Sequence, residues 1–268
     1  MQTIYYQGIK KTENTTALIH DFLVVEAPLE ININNSPFTV VMRTPGNDEE
    51  LIRGLLFAED IYRKKENLDC VVLENSEHNA TKINVSIAEE KLGQGYLNKR
   101  SLLSVSSCGI CGKQSLEDLA NPHSKLQPIH VLDLHKLPEM YQTIQTNQDI
   151  FNLTGGSHAA AIFDSDYNLL TLQEDIGRHN AVDKCIGHLL NQQNLNNATF
   201  MLVSGRVSYE IITKAFFAKI TTVVAVSACS SLAVDYAKEF GICLIGFSRD
   251  EKATIYANPP KTTALLTL

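Results

Sequence analysis

Polar and apolar positions alternate along short stretches between Thr16 and Arg43, most clearly in LEININ (29–34) and FTVVMR (38–43). A period of two places alternate side chains on one face of a strand. Asn35-Ser36-Pro37 between the two stretches carries turn chemistry, so they predict a hairpin. After Thr44-Pro45-Gly46 the period changes. NDEELIRGLLF has acidic residues in its first turn and Leu51, Ile52, Leu55 and Leu56 at helical spacing, which predicts a short amphipathic helix. DCVVL (69–73) and TKINVSI (81–87) predict two more strands, and the polar stretch from Glu89 to Arg100 reads as a domain junction.

Beyond residue 150 apolar runs of four to six residues alternate with helical stretches: FMLVS (200–204), a helix over 208–219, TVVAV (222–226), a helix over 231–240, and ICLIGF (242–247). Continuous apolar runs are strands buried on both faces, and their alternation with helices predicts a parallel α/β layer. The fold class is therefore α/β, α+β overall, with a smaller β-rich N-terminal domain over residues 1–95 and a larger α/β domain over 96–268. No internal repeat appears, and the last dozen residues, with Pro259-Pro260, read as a tail.

Composition narrows the classes. With 268 residues and 44% hydrophobic content, the chain can bury a sizeable core. No apolar run approaches the roughly 18 to 20 residues of a membrane helix, and MQTIYYQGIKK lacks the basic-then-apolar order of a signal peptide, so no membrane association and a cytoplasmic location are expected. A net charge of -7 argues against nucleic acid as a partner but leaves room for a local basic pocket.

Ligands of a parallel layer collect outside the carboxyl ends of the strands, where helix N-termini converge. That rule selects Ser204-Gly205-Arg206, Ser227 to Ser231, and Phe247-Ser248-Arg249-Asp250-Glu251-Lys252. Their hydroxyls, glycine and arginines suit phosphate oxygens. Two polar segments add to them. In NLTGGSHAAAIF (152–163), Gly155-Gly156 permits close backbone approach, beside His158; in QEDIGRHNAVDK (173–184), Asp175, Arg178, His179, Asn180 and Asp183 crowd a helix start. Neither the dinucleotide nor the P-loop fingerprint is present.

Of six cysteines only Cys108 and Cys111 are close, in SVSSCGICGK; Cys70, Cys185, Cys229 and Cys243 lie scattered in strand-like or helical segments, as small buried hydrophobes do. Gly109 and Gly112 frame the pair and no carboxylate is near in sequence, so nothing local opposes a thiolate. Persulfide carriage and disulfide exchange both meet those conditions. Structural zinc wants about four ligands and a second close pair, which is missing, and the H-x-E partner of the zinc deaminases is absent too. No metal site is assigned.

The strings PLEINI, EELIRGLLFAEDI, SSCGICG, TGGSHAAAIF, EDIGRHNAVDK, VSGRVSYEI and SSLAVDYAKEFGICLIGFSRD, in that order, resemble the formate dehydrogenase accessory sulfurtransferase family, FdhD/NarQ, from about residue 20 to residue 256. The resemblance implies a sulfur carrier that accepts persulfide sulfur from a cysteine desulfurase on Cys108, with Cys111 as its partner. It passes the sulfur to a molybdenum bis-guanine-dinucleotide cofactor, the bound client, before that cofactor enters the formate dehydrogenase apoenzyme. Whether this makes it an enzyme proper stays open; the type is a sulfurtransferase with a cysteine persulfide intermediate. The resemblance also implies a homodimer and a larger domain with the three-layer αβα fold of cytidine deaminases without their zinc. Its cofactor-binding stretch falls on Phe247 to Lys252; Gly155, Gly156, His158, Arg178, His179, Asn180, Ser204, Gly205 and Arg206 help hold the guanine nucleotide halves, which a GDP-like nucleotide would mimic. Cys185 and Cys229 depart from the pattern, which usually has an aliphatic residue and a proline there. The competing reading is a maturation chaperone that binds the cofactor while its cysteines staple the fold or hold metal.

Overall fold

The computed structural model describes residues 1–76, 79–97, 125–127, 130–249 and 252–258. The N-terminal portion contains a hairpin, β1 (Thr3–Lys11) and β2 (Thr16–Val24), paired over its full length. β3 (Ala27–Ile33) and β4 (Ser36–Arg43) follow, then helix α1 (Asp48–Ala58), β5 (Asp69–Asn75), β6 (Thr81–Ser86) and one helical turn, α2 (Gln94–Leu97). The last four strands form a sheet of order β4-β3-β6-β5, with β3 parallel to β6 and antiparallel to β4. The expected hairpin is present with its turn moved by one residue. Asn34 and Asn35 take φ of 50° and 65°, so they form the turn, while Ser36 and Pro37 already pair in β4. A tight hairpin needs two successive left-handed residues, which asparagine accepts and proline cannot adopt.

Helix α1 shows why its apolar residues recur as they do. Leu51, Ile52 and Leu56 are fully buried with Leu29, Ile31, Ile33, Ile83 and Val85 of the sheet. Its opposite side meets a helix of the C-terminal portion.

That portion continues with α3 (Leu137–Thr146), α4 (Asp149–Thr154), β7 (His158–Phe163), β8 (Leu169–Asp175), α5 (Arg178–Asn191), β9 (Phe200–Val203), α6 (Tyr209–Phe217), β10 (Thr222–Ala225), α7 (Ser231–Phe240), β11 (Cys243–Arg249) and β12 (Lys252–Ala257). The sheet order is β12-β11-β10-β9-β7-β8. β9, β10 and β11 are parallel, as their apolar runs predict, but β7, β8 and β12 are antiparallel to their neighbours, so the layer is mixed. Both faces are covered. Ala160, Ile162, Met201, Val203, Val223 and Leu244 pack under α5, α6 and α7, whereas Ala161, Phe163, Phe200, Leu202, Val224 and Ile245 pack under α3. The expected loop after the third parallel strand is corrected in part. β11 runs on to Arg249 and β12 starts at Lys252, so Phe247, Ser248 and Arg249 are strand residues, and pairing with an edge strand extends the element beyond its apolar run.

Among the described residues no helix is long and apolar enough to cross a membrane. The predicted tail from residue 259 onward and the last three residues of the predicted junction, 98–100, lie outside the described residues.

Candidate functional site

The carboxyl ends of β9, β10 and β11 lie on one edge of the six-stranded sheet. Because β7 runs antiparallel to β9, its first residue reaches the same edge, and because β8 runs antiparallel to β7, its last residue joins it. Topology alone therefore gathers His158, Asp175, Ser204-Gly205-Arg206 and the N-terminus of α5. Ser204 ties two of these strands: its N–H donates to the Ala159 carbonyl (3.0 Å), its Oγ accepts from the Ala159 N–H (2.9 Å), and Oγ lies 3.4 Å from His158 Nδ1.

Gly205 is the tightest point of the cluster. A Cβ there would lie 3.2 Å from Arg178 Cβ, 3.2 Å from His158 Nδ1 and 3.3 Å from Arg178 Cδ. Arg178 Nε is buried and has no hydrogen-bond partner among the described residues. A buried guanidinium N–H without an acceptor is costly, and an anionic oxygen is the acceptor it suits best. Burial first, then the charges of Arg178 and Arg206, push the His158 pKa below its ordinary value, which Asp175 partly offsets. The site is thus a small concentration of positive charge at a helix N-terminus, where backbone N–H groups also favour an anion.

His179 points the other way along α5. Its Nε2 lies 2.9 Å from Ser208 Oγ and 3.7 Å from Glu210 on α6. Burial and the nearby Lys214, Arg178 and His158 push its pKa down to about 3, so its imidazole is neutral at physiological pH. Asn180 is occupied within the protein: its Nδ2 donates to the Met42 carbonyl (2.8 Å) and to Asp175 Oδ1 (2.9 Å). Gly155 ends α4 at φ 64° with open space around it, and a Cβ on Gly156 would come within 2.8 Å of Val24 of β2. These two glycines form a turn held by Glu174, whose carboxylate accepts from the Ile150 and Phe151 N–H groups and from Ser157 Oγ.

At the end of β11, Phe247 has φ 50°, a conformation rare for a bulky residue, and the residue is 47% exposed. Its N–H donates to the Ser227 carbonyl at 3.0 Å, which fastens it to the loop after β10. The strand is irregular here, with a register shift between Gly246 and Arg249, and bulges of this kind re-aim side chains. Ser248 turns inward and is buried, whereas Arg249 and Lys252 are exposed. Asp250, Glu251, Cys108 and Cys111 lie outside the described residues.

Sequence reasoning missed the supports of this cluster. Thr44, Glu174 and Lys184 are polar residues buried against the site turn, and Thr44 sits 131 positions away from Asp175, whose carboxylate it contacts; no local pattern marks it. The four described cysteines are unpaired. Cys185 and Cys243 are buried, as expected, and Cys229 is half-buried in the loop after β10, where burial pushes its thiol up to about 11. Among the described residues no group of three or more His, Cys, Asp or Glu side chains is placed to hold a metal ion.

The model of the FdhD/NarQ family matches residues 24–263. The chain belongs to this family. Relatives named sulfur carrier protein FdhD share 41% identity in Mycolicibacterium paratuberculosis, over 87% of this chain and 89% of that one, and 36% in Sulfolobus acidocaldarius, over 94% and 95%. The fold is shared with a crystal structure described as a formate dehydrogenase accessory protein from Desulfotalea psychrophila, at a TM-score of 0.73 and 20% identity, covering 97% of this chain and 98% of that one. The FdhD/NarQ match starts at the end of β2, so it takes in both larger sheets and leaves out most of the β1–β2 hairpin.

Proposed function

We propose that this FdhD/NarQ protein is a sulfur carrier in formate dehydrogenase maturation, and that its strand-end cluster holds the guanine dinucleotide part of a molybdenum cofactor while sulfur is delivered. The observation that carries the binding half of this reading is the buried Arg178 Nε, which has no acceptor among the described residues, beside the cradle that Gly205 leaves open against His158. A pyrophosphate oxygen meets both requirements, with Arg206 and the first N–H groups of α5 adding to the field. Phe247, Arg249 and Lys252, from the far end of the same edge, contribute to the nucleotide halves; Asp250 and Glu251 belong to that stretch. Gly155, Gly156 and Asn180 act by shaping the turns around the cluster, and His179 by bracing α5 against α6.

The sulfur half rests on Cys108 and Cys111 and on the names of the relatives. Cys108 thiolate attacks the terminal sulfur of a cysteine desulfurase persulfide: a Cys108–sulfur bond forms, the desulfurase S–S bond breaks, and the desulfurase leaves as thiolate. Attack by Cys111 thiolate on the inner sulfur of the Cys108 persulfide then forms a Cys108–Cys111 disulfide and releases hydrosulfide toward the molybdenum; a thiol reductant resets the pair. The client cofactor is substrate in this scheme.

Three structural expectations belong to the same reading. Residues 1–95 and 96–268 are taken as two domains, and the mixed sheet between helical layers supports a cytidine-deaminase-like core without zinc. The working unit is taken as a cytoplasmic homodimer. Mass spectrometry after incubation with a cysteine desulfurase and cysteine tests the carrier role: added sulfur on Cys108 is expected, and none on either Cys108 or Cys111 removes it. GDP binding by calorimetry tests the site, with Arg178→Ala expected to weaken it at least tenfold.

A further inference from the structure

We infer that Thr44, in the loop between β4 and α1, is a positioning residue for the strand-end site, acting through a buried latch with Asp175 and Lys184 that fixes the turn carrying Arg178. The inference rests on the anion-site reading above and adds to it a contribution from the N-terminal sheet.

The latch is closed on every side. Asp175 is fully buried, and its Oδ1 accepts from the Gly177 N–H (2.8 Å) and Asn180 Nδ2 (2.9 Å). Its Oδ2 accepts from the Thr44 N–H (3.1 Å) and pairs with Lys184 Nζ at 2.8 Å. Lys184, 1% exposed, donates in turn to the Thr44 carbonyl (2.9 Å). The Thr44 hydroxyl then accepts from the Ile176 N–H at 3.0 Å, and Asn180 reaches back to the Met42 carbonyl. Thr44 thus uses its N–H, its carbonyl and its hydroxyl on residues 175, 176 and 184, which lie before and after Arg178.

The geometry of the turn follows from this. Gly177 is the residue before α5, and a Cβ there would come within 2.8 Å of Asn180 Nδ2 and 3.3 Å of Asp175 Oδ1, so a larger residue would displace the Asn180 amide from the latch. Arg178 follows directly, and its stem packs at the Gly205 gap where sub-ångström placement decides whether its guanidinium meets an anion. A buried polar network with every member satisfied holds a single conformation, and removing one acceptor leaves a backbone N–H to find another.

The test compares Thr44→Val, which keeps the shape and loses the acceptor for Ile176, with Thr44→Ser, which keeps it. An Asp175 substitution would strand the Lys184 charge and is set aside for that reason. GDP affinity is measured by calorimetry on the full chain, alongside thermal unfolding. Thr44→Val is expected to weaken GDP binding about 3- to 10-fold, the range of one hydrogen bond, and Thr44→Ser to restore it. Asn180→Ala, which loses two latch bonds at a half-buried position, is expected to weaken binding in the same direction. Ile31→Val, a core change of comparable stability cost in the distant sheet, is expected to bind GDP as the unaltered chain does. If Thr44→Val and Asn180→Ala both bind GDP normally while Arg178→Ala does not, the latch is overturned and the site stands. If Arg178→Ala also binds normally, the site reading falls and the inference with it.

Discussion

At the scale of single residues, the two histidines near the site have different consequences. His179 is neutral in the folded protein down to about pH 3, because burial and three neighbouring positive groups oppose its protonation, whereas in the unfolded chain it takes up a proton near its ordinary value of 6.5. The unfolded state therefore binds the proton first, so the stabilising contribution is present above pH 6.5 and is lost as pH falls from there toward 3. The slope contributed by one such group is at most about 1.4 kcal/mol per pH unit. Urea unfolding at several pH values is expected to show His179→Gln with a shallower loss of stability between pH 6.5 and 3 than the unaltered chain. His158, also held low, lines the proposed anion site: a bound phosphate oxygen favours its protonated form, so GDP affinity is expected to rise as pH is lowered below neutrality. Phe247 completes this scale. Stacking of a base on an aromatic ring is worth about 1–3 kcal/mol, so Phe247→Ala is expected to weaken GDP binding by roughly that amount and leave inorganic pyrophosphate binding unchanged, both by calorimetry.

At the scale of elements, the crossing of α1 and α5 is where the two larger sheets meet through helices. Gly54 and Gly187 let the backbones touch: a Cβ on Gly54 would lie 2.0 Å from the Asp183 carbonyl oxygen, and one on Gly187 1.8 Å from that of Glu50. Neither neighbour can yield, since both are helix backbone. Gly187→Ala is expected to cost about 1–3 kcal/mol or more, read as a lower denaturation midpoint with unchanged slope. Nothing in the local pattern around Gly54 or Gly187 announces this contact. By contrast α1, β3, β4, β6, β9, β10 and β11 are legible in the sequence, because each buries a clean periodic or continuous apolar set. β7 and β8 are not, since HAAAIF is short and QED ends in buried polar residues whose partners, Thr44 and Ile150 among them, come from elsewhere in the chain. For the same reason the pattern identified which strand ends gather on one edge of the sheet but not how His158, Arg178 and Gly205 interlock, nor that Asn180 is taken up by Met42 and Asp175 and that Ser248 is buried.

At the scale of the whole molecule, the β1–β2 hairpin meets the surroundings of the site at its base, through Val24 against Gly156. Ile4, Tyr5, Tyr6, Ile9, Leu18, Phe22 and Leu23 are all more than a third exposed, and they lie on both faces of the ribbon, so little of its apolar surface contributes to either core. Among the described residues, β2 lies against α4, Val24 packs against Gly156, and Gln2 reaches Gly46 and accepts from the Val25 N–H. A two-stranded ribbon alone is marginal, and stability follows the apolar area removed from water, which here is concentrated in the clusters under α1, α3 and α5 to α7. A chain beginning at Leu23 is therefore expected to unfold in one cooperative transition whose midpoint falls by only a few degrees, since about 1 kcal/mol corresponds to roughly 2–4 °C at this size. The same chain is expected to bind GDP, because Gly205, Arg178 and His158 pack on one another and on Ser204, all outside the hairpin. Calorimetric unfolding and GDP titration of the truncated chain check both halves. A collapse of cooperativity would instead mean that the contacts at Gly156 and Gly46 carry far more than their area, and that the ribbon is part of the fold the site depends on.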